Sequence, residues 1–171
     1  LGPDRQTASD LVDYAAEQIV LGTILYDTAA LPQVAGWLAP EHFADALHGR
    51  IYEAIGRLVD QGRRADIHTL RATFDQDAVL REIGIGATYL MRLVEMSTLP
   101  ECAEEYARMV LALAHKRLLL GMVDDLRDTL FDAEREVDGL AADFASGLQK
   151  LTGTKRRGSG PATLTTTLPP R

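Results

Sequence analysis

The 171-residue sequence has one cysteine, Cys102. No internal disulfide can form, so a packed core must hold the fold, which suits a reducing compartment. No apolar run approaches the ~18–20 residues that a membrane span requires. The opening LGPDRQTASD carries no apolar signal core either. These absences predict a cytoplasmic protein, with residues 1–12 as a flexible leader. Positive charge is also scarce: 18 Lys and Arg against 25 Asp and Glu give a formal net charge of -7. A surface that wraps nucleic acid needs a basic footprint, so DNA contact by this region should be weak or absent. Lys155, Arg156 and Arg157 form a basic cluster too small to alter that expectation.

Recognisable chemistry is missing too. His42, His48, His68 and His115 show no ligand spacing with one another or with Cys102, so no metal site is expected. They read as helix-surface or hydrogen-bonded core histidines. Asp124 with Asp125, and Glu104 with Glu105, lie on polar helix faces where solvated charge is the simpler reading than acid–base work. Cys102 has no neighbouring base to activate its thiol. The segment GIGA, Gly84 to Ala87, follows no strand and lacks the Gly-Lys-Ser/Thr of a phosphate-binding loop, so it reads as a turn. The expectation is no catalytic residue, no cofactor and no metal in this chain.

What is present is helix. Hydrophobic residues make up 46% of the chain, enough for a core. Val12, Ala16, Ile19, Val20, Thr23 and Ile24 share one face of a first helix, and Asp27 and Thr28 offer a stop and a new cap. Leu31, Val34, Ala35 and Leu38 suggest a second, short helix, and Pro40 suits the first turn of PEHF. Leu47, Ile51, Ala54, Ile55, Leu58 and Val59 make one buried stripe that Gly62 ends. Asp66 can cap DIHTLRATF, and REIGIGATYLMRLVEM reads as a turn entering another helix. No alternating run supports a strand. The fold class is therefore all-α, with a compact multi-helix head over residues 13–99.

Residues 100–151 differ. Pro100 suits a first turn, and Glu101, Glu104 and Glu105 suit the positive end of a helix dipole. From there to about Phe131 the only glycine is Gly121 and no proline follows. A helix of ~30 residues would be ~45 Å long, whereas the head should be ~30–35 Å across, so the helix should project. Asp132 can cap a return helix carrying Val137, Leu140, Ala141, Phe144, Leu148 and Leu151. The pair makes a projecting antiparallel hairpin, followed by a Gly-, Thr- and Pro-rich linker over residues 152–171. The long helix is apolar over a wide belt: Tyr106, Met109, Val110 and Leu113, then Leu118, Leu119, Leu120, Met122, Val123, Leu126 and Leu130. One return helix cannot cover it all, and each uncovered side chain forgoes ~1.5–3 kcal/mol of burial. A second copy or another protein should cover the remainder. The expected self-association surface is Leu119, Met122, Val123, Leu126, Leu130, Val137, Leu140 and Phe144.

Four blocks then resemble the N-terminal domain of DnaB-type replicative DNA helicases. AEQIVLGTILYD supplies Ala16, Glu17, Gln18, Leu21, Gly22, Leu25 and Asp27 at the family's spacing. PEHF, His48, IYEAI, Leu58, Gly62, Asp66, Thr69 and Leu70 follow in order, then IGIGATYL and EYARMV. The family's Pro-Thr-Ala-Ala-Asn turn is replaced by STLPECAEE, which leaves the head-to-hairpin angle open. The resemblance implies an assembly and protein-binding module: hairpins pair as a dimer, three dimers form a hexameric collar, and primase docks there, with a helicase loader as a further partner. It implies Tyr89, Leu120 and Leu126 as primase-docking residues. ATP and Mg would belong to a motor domain absent from these residues. The competing readings are the helicase-binding C-terminal domain of a primase, an unrelated helical oligomerisation module, an enzyme with an unrecognised site, and a small DNA-binding regulator.

Overall fold

The computed structural model describes residues 10–76, 87–130 and 136–156, with side chains through residue 149. Its elements are α1 (Tyr14–Tyr26), a 3-10 turn (Thr28–Ala30), α2 (Leu31–Val34), a 3-10 turn (Pro40–His42) and α3 (Ala46–Asp60). Then come α4 (Ile67–Gln76), α5 (Ala87–Glu95), a 3-10 turn (Pro100–Cys102), α6 (Ala103–Thr129) and α7 (Val137–Arg156). Among the described residues there is no strand, and no helix is long and apolar enough to cross a membrane.

Side-chain caps set the boundaries. The Asp13 carboxylate accepts the Ala16 N–H at 2.9 Å and starts α1; Asp45 accepts the Leu47 N–H at 2.8 Å and starts α3. Asp27 plays both parts expected of it. Its N–H closes α1 on the Thr23 carbonyl, and its carboxylate accepts the Ala29 N–H at the next turn. Asp66 and Thr69 cap α4 reciprocally, each backbone N–H bonding the other's side chain at 2.9 Å. Gly62, at φ +69°, turns the chain out of α3 in the left-handed region.

α1 is the axis of the head. Val20, Leu21, Ile24 and Leu25 are buried, and so are Glu17, Gly22 and Thr23. It packs on α3, α5 and α6, while α4 lies against α3 and α5. Burial of side chains such as Leu21, Ile24, Ile51, Ile55, Leu70, Phe74, Leu90 and Leu93, each worth ~1.5–3 kcal/mol, holds the unit together.

The long helix corrects one expectation. Its first half does not project: Ala103, Ala107, Val110 and Ala114 recur at helical spacing and are buried in the head core. Three alanines in that row let α6 lie close against α1. The head therefore covers Val110 and much of Tyr106 itself. Only the half beyond Ala114 is left to pack on α7. The helix proper begins at Ala103, after a 3-10 turn at Pro100, and ends at Thr129 instead of Phe131. α7 continues to Arg156, past the point where composition predicts a linker. The Asp132 cap, the turn at residues 84–86 and the leader through residue 9 fall outside the described residues, as do residues 157–171.

Candidate functional site

The distal half of α6 carries two different apolar rows. Met122, Leu126 and Thr129 face α7, where they meet Leu140, Phe144 and Gly147. Leu140 is only 7% exposed, so this seam is the hairpin's own core. The second row is uncovered: Leu119 is 38% exposed, Val123 50% and Leu130 60%, and Val137 at the start of α7 is 75% exposed. Met109, also exposed, adds to the outer side of the same helix. The eight residues expected to mediate self-association thus divide evenly between an internal seam and an open stripe.

The residues expected to dock primase stand on separate elements. Leu126 belongs to the seam, Leu120 is half-buried further up α6, and Tyr89 lies on α5 in the head. Tyr89 is the outer end of a buried polar chain. The Glu17 carboxylate accepts the backbone N–H groups of Ala44 at 2.5 Å and Asp45 at 3.3 Å, and contacts His48 Nδ1 at 2.6 Å. A carboxylate can only accept, so Nδ1 carries the proton. In the neutral ring Nε2 then accepts the Tyr89 hydroxyl proton, 2.6 Å away. Burial raises the Tyr89 pKa, the neighbouring Gln18 side chain opposes that rise, and Asp45 and Glu17 add to it. Glu17 and His48 are each 1% exposed, and no buried polar side-chain atom among the described residues lacks a partner. An unpaired charge there would cost several kcal/mol; the complete chain of bonds avoids it. It ties α1, the start of α3 and α5 into one unit.

A second polar cluster joins head to hairpin. The Arg117 guanidinium donates to the Leu11 carbonyl at 2.8 Å and to the His42 carbonyl at 2.7 Å. His42 Nδ1 accepts the Ala39 N–H at 2.9 Å, and its ring meets His115 edge-on at 6.0 Å. Burial lowers the His42 pKa; Glu41 opposes this, and His115 and Arg117 reinforce it. Sequence reasoning passed over Arg117. Its only signal was a cation set in the apolar run LALAHKRLLLGM. Among the described residues no group of three His, Cys, Asp or Glu side chains could hold a metal ion.

The order of these parts matches a known domain. A family model for the DnaB-like helicase N terminal domain covers residues 9–112. The chain belongs to this family. The DnaB-like domain is 33% identical over 123 residues to the replicative DNA helicase DnaB of Rickettsia conorii, covering 72% of this chain and 25% of that protein. With the DnaB of Mycobacterium leprae the identity is 40% over 122 residues, 70% of this chain and 19% of the relative. The chain thus spans about a quarter or less of these relatives' length. Among solved structures, the N-terminal domain of DnaB helicase from Mycobacterium tuberculosis superposes with a TM-score of 0.74 at 30% identity. That match covers 81% of this chain and 97% of that one. A DnaB-like replicative helicase solved for its interactions with primase shares the fold, with a TM-score of 0.64 at 20% identity over 90% of this chain and 36% of that one. Helicase activity is a property of the full-length family. The region matched here is its N-terminal domain.

The relay residues Glu17, His48 and Tyr89 all lie in the sequence blocks that resemble the family. The structure joins these dispersed positions into one hydrogen-bonded path.

Proposed function

We propose that this chain is the assembly and protein-docking domain of a replicative DNA helicase. Residues 13–99 form the head together with the first half of α6, which is buried against them, and the rest of α6 with α7 forms the hairpin. The hairpin pairs with that of a second copy through Leu119, Val123, Leu130 and Val137. The exposed row of large apolar side chains on the distal half of α6 carries this reading. Such a row costs solubility unless something covers it. A two-fold pair covers both copies with the same patch. Three pairs would build a hexameric collar, with primase docking on it and a helicase loader as a further visitor. ATP and Mg would act in a motor domain outside these residues, in the cytoplasm. Membership in the helicase family favours this reading over a primase domain that binds helicases.

Light scattering of the 171-residue chain over a wide concentration range tests the pairing. Val123→Asp places a charge in the open stripe and should shift the mass toward a monomer with helicity and melting temperature retained. Leu126→Asp strikes the internal seam and should lower the melting temperature of the hairpin instead. A wild-type chain that stays monomeric at every concentration overturns the pairing. Retention of the purified primase C-terminal domain on the chain, and its loss in Leu120→Asp, tests the docking.

A further inference from the structure

Thr23, near the end of α1, meets Thr98 just before α6, whereas Leu11, ahead of α1, meets Arg117 well along α6. The two helices therefore run antiparallel, and the end of α1 points away from the projecting half of α6. At that far end of the head, the last turn of α1, the turn after it and the α3–α4 connection line a cleft of about 440 Å3. Leu25, Tyr26 and Val59 supply its apolar surface, and Asp27, Arg63 and Arg64 its charges. An apolar cavity of ~150 Å3 admits a benzene ring, so the cleft has room for an aromatic side chain and the backbone that carries it. Tyr26 is 65% exposed there. The two arginines are set by their backbone. Gly62 N–H bonds the Val59 carbonyl and Arg63 N–H the Leu58 carbonyl, both at 2.9 Å, which closes α3 in a Schellman turn. The Arg64 carbonyl accepts the Thr69 hydroxyl at 2.8 Å. Both guanidinium groups therefore spring from a fixed loop.

Charge selects what the cleft receives. Its one carboxylate is engaged as a cap: Asp27 accepts the Ala29 N–H at 2.9 Å. Asp66, just past the lining residues, likewise accepts the Thr69 N–H, and Asp60, on the last turn of α3, lies outside the lining. Arg64 comes no closer than 4.0 Å to Asp66, with its side chain 80% exposed. Arg63 has no ion pair or side-chain hydrogen bond among the described residues. The lining thus carries two cations and one capped carboxylate, in a chain whose net charge is -7. We propose that the cleft binds an acidic segment of a partner protein, which lays an aromatic or aliphatic anchor on Leu25, Tyr26 and Val59 and pairs its carboxylates with Arg63 and Arg64. Guanidinium forks match carboxylates bidentately, and tyrosine offers a rigid amphipathic face. Nucleic acid fits less well, since two cations neutralise few phosphates against the field of an acidic chain. A second copy offers acidic surface on its hairpin, but a head-to-hairpin contact is heterologous and propagates unless its rotation closes. The inference does not depend on hairpin pairing, because the cleft lies at the other end of the head.

The test uses the 171-residue chain and a short fluorescent peptide with one phenylalanine among glutamates and aspartates. Fluorescence anisotropy should report binding that weakens with added salt, as expected for charge-steered contacts. Arg63→Gln/Arg64→Gln should weaken binding about tenfold, or ~1.4 kcal/mol, and Tyr26→Ser should weaken it as well. All three side chains are exposed, so these variants should keep the wild-type melting temperature. Arg127→Gln, on the hairpin, should leave binding unchanged. Peptides with lysines for the acids, or alanine for the phenylalanine, should not bind. Failure of the acidic peptide to bind, undiminished binding by the arginine variant, or equal binding by the lysine peptide overturns the proposal. So does a thymidine oligonucleotide that binds more tightly than the peptide with the same arginine dependence, which would assign the cleft to nucleic acid. In light scattering the Arg63→Gln/Arg64→Gln chain should keep the wild-type mass; a lower mass assigns the cleft to a second copy and overturns the proposal too. A monomer that still binds the acidic peptide refutes pairing and keeps the cleft; a paired chain that ignores the peptide refutes the cleft and keeps pairing.

Discussion

Gly22→Ala adds one carbon to the centre of α1, and the structure leaves no space for it. A Cβ there would stand 1.8 Å from the Leu93 carbonyl oxygen, 2.6 Å from the Leu93 carbonyl carbon and 3.4 Å from the Ser97 nitrogen. A close carbon–oxygen contact is ~3.3–3.6 Å, so the α5 backbone would have to retreat by roughly 1.5 Å. It is poorly placed to do so. Thr98 N–H bonds the Thr23 hydroxyl at 3.1 Å beyond one end, and the Tyr89–His48 bond holds the other. Leu21, Ile24, Leu90 and Leu93 fill the region without exposure. Overpacking costs ~1–3 kcal/mol or more, and loss of the Thr98 bond adds ~0.5–1.5 kcal/mol. The gain in helix propensity from Gly to Ala returns ~0.8–1 kcal/mol. The net is a loss of about 0.5–3.5 kcal/mol, or roughly 2–12 °C in melting temperature for a chain of this size. Gly121, mid-helix in α6, meets nothing within 4 Å. Gly121→Ala should therefore stabilise by about 0.5–1 kcal/mol. Thermal and urea melts of both variants read the contrast. A Gly22→Ala protein as stable as wild type would refute the close approach of α1 and α5.

Tyr89→Phe removes the hydroxyl that satisfies His48 Nε2, and should cost ~1–3 kcal/mol in urea unfolding with little change in helicity. The pH dependence should be visible at His42. Its folded pKa lies below the ordinary 6.5. Its contribution is therefore complete above that value and is lost as pH falls through the folded one. Protonation would take the Ala39 N–H's acceptor and set a new charge beside Arg117 and His115. His42→Asn, which keeps an acceptor but does not titrate, should flatten the stability curve below pH 6.5 relative to wild type. Parallel curves would exclude His42 as the group responsible.

Much of the fold was legible because helical periodicity reports burial directly. The stripe from Leu47 to Val59 becomes the buried face of α3, and Asp27, Gly62 and Asp66 act at the ends where their chemistry suits them. The reading failed where burial is circular. α1 is hidden on nearly every side, so a single face could not describe it. Ala103, Ala107 and Ala114 carry little hydrophobic weight, yet they are the row by which α6 enters the core. The head consequently already covers part of the apolar belt that the sequence leaves for a partner. Met122 and Leu126 are not separable in the sequence from Leu119 and Val123, because residues three or four apart on adjacent rows look alike until the return helix chooses between them. The polar relay was hidden for another reason. Glu17, His48 and Tyr89 are tens of residues apart, and only the packing of α1, α3 and α5 brings them within hydrogen-bond distance.

The two halves of α6 are bound together by more than sequence. A continuous helix of 27 residues transmits rotation along its axis, since its backbone hydrogen bonds resist local twist. Ala103, Ala107 and Val110 fix the angular setting of that rod within the head, and Arg117 fastens it again where it leaves, on the carbonyls of Leu11 and His42. The direction in which Leu119, Val123 and Leu130 face is thereby decided inside the core, a turn or more before the helix meets any partner. Turning the stripe would require breaking both charge-assisted bonds, each worth ~1.5–3 kcal/mol, and withdrawing the small-residue row from α1. Partner geometry is thus encoded in the same packing that makes Gly22 necessary. The head acts as the mount that aims the hairpin.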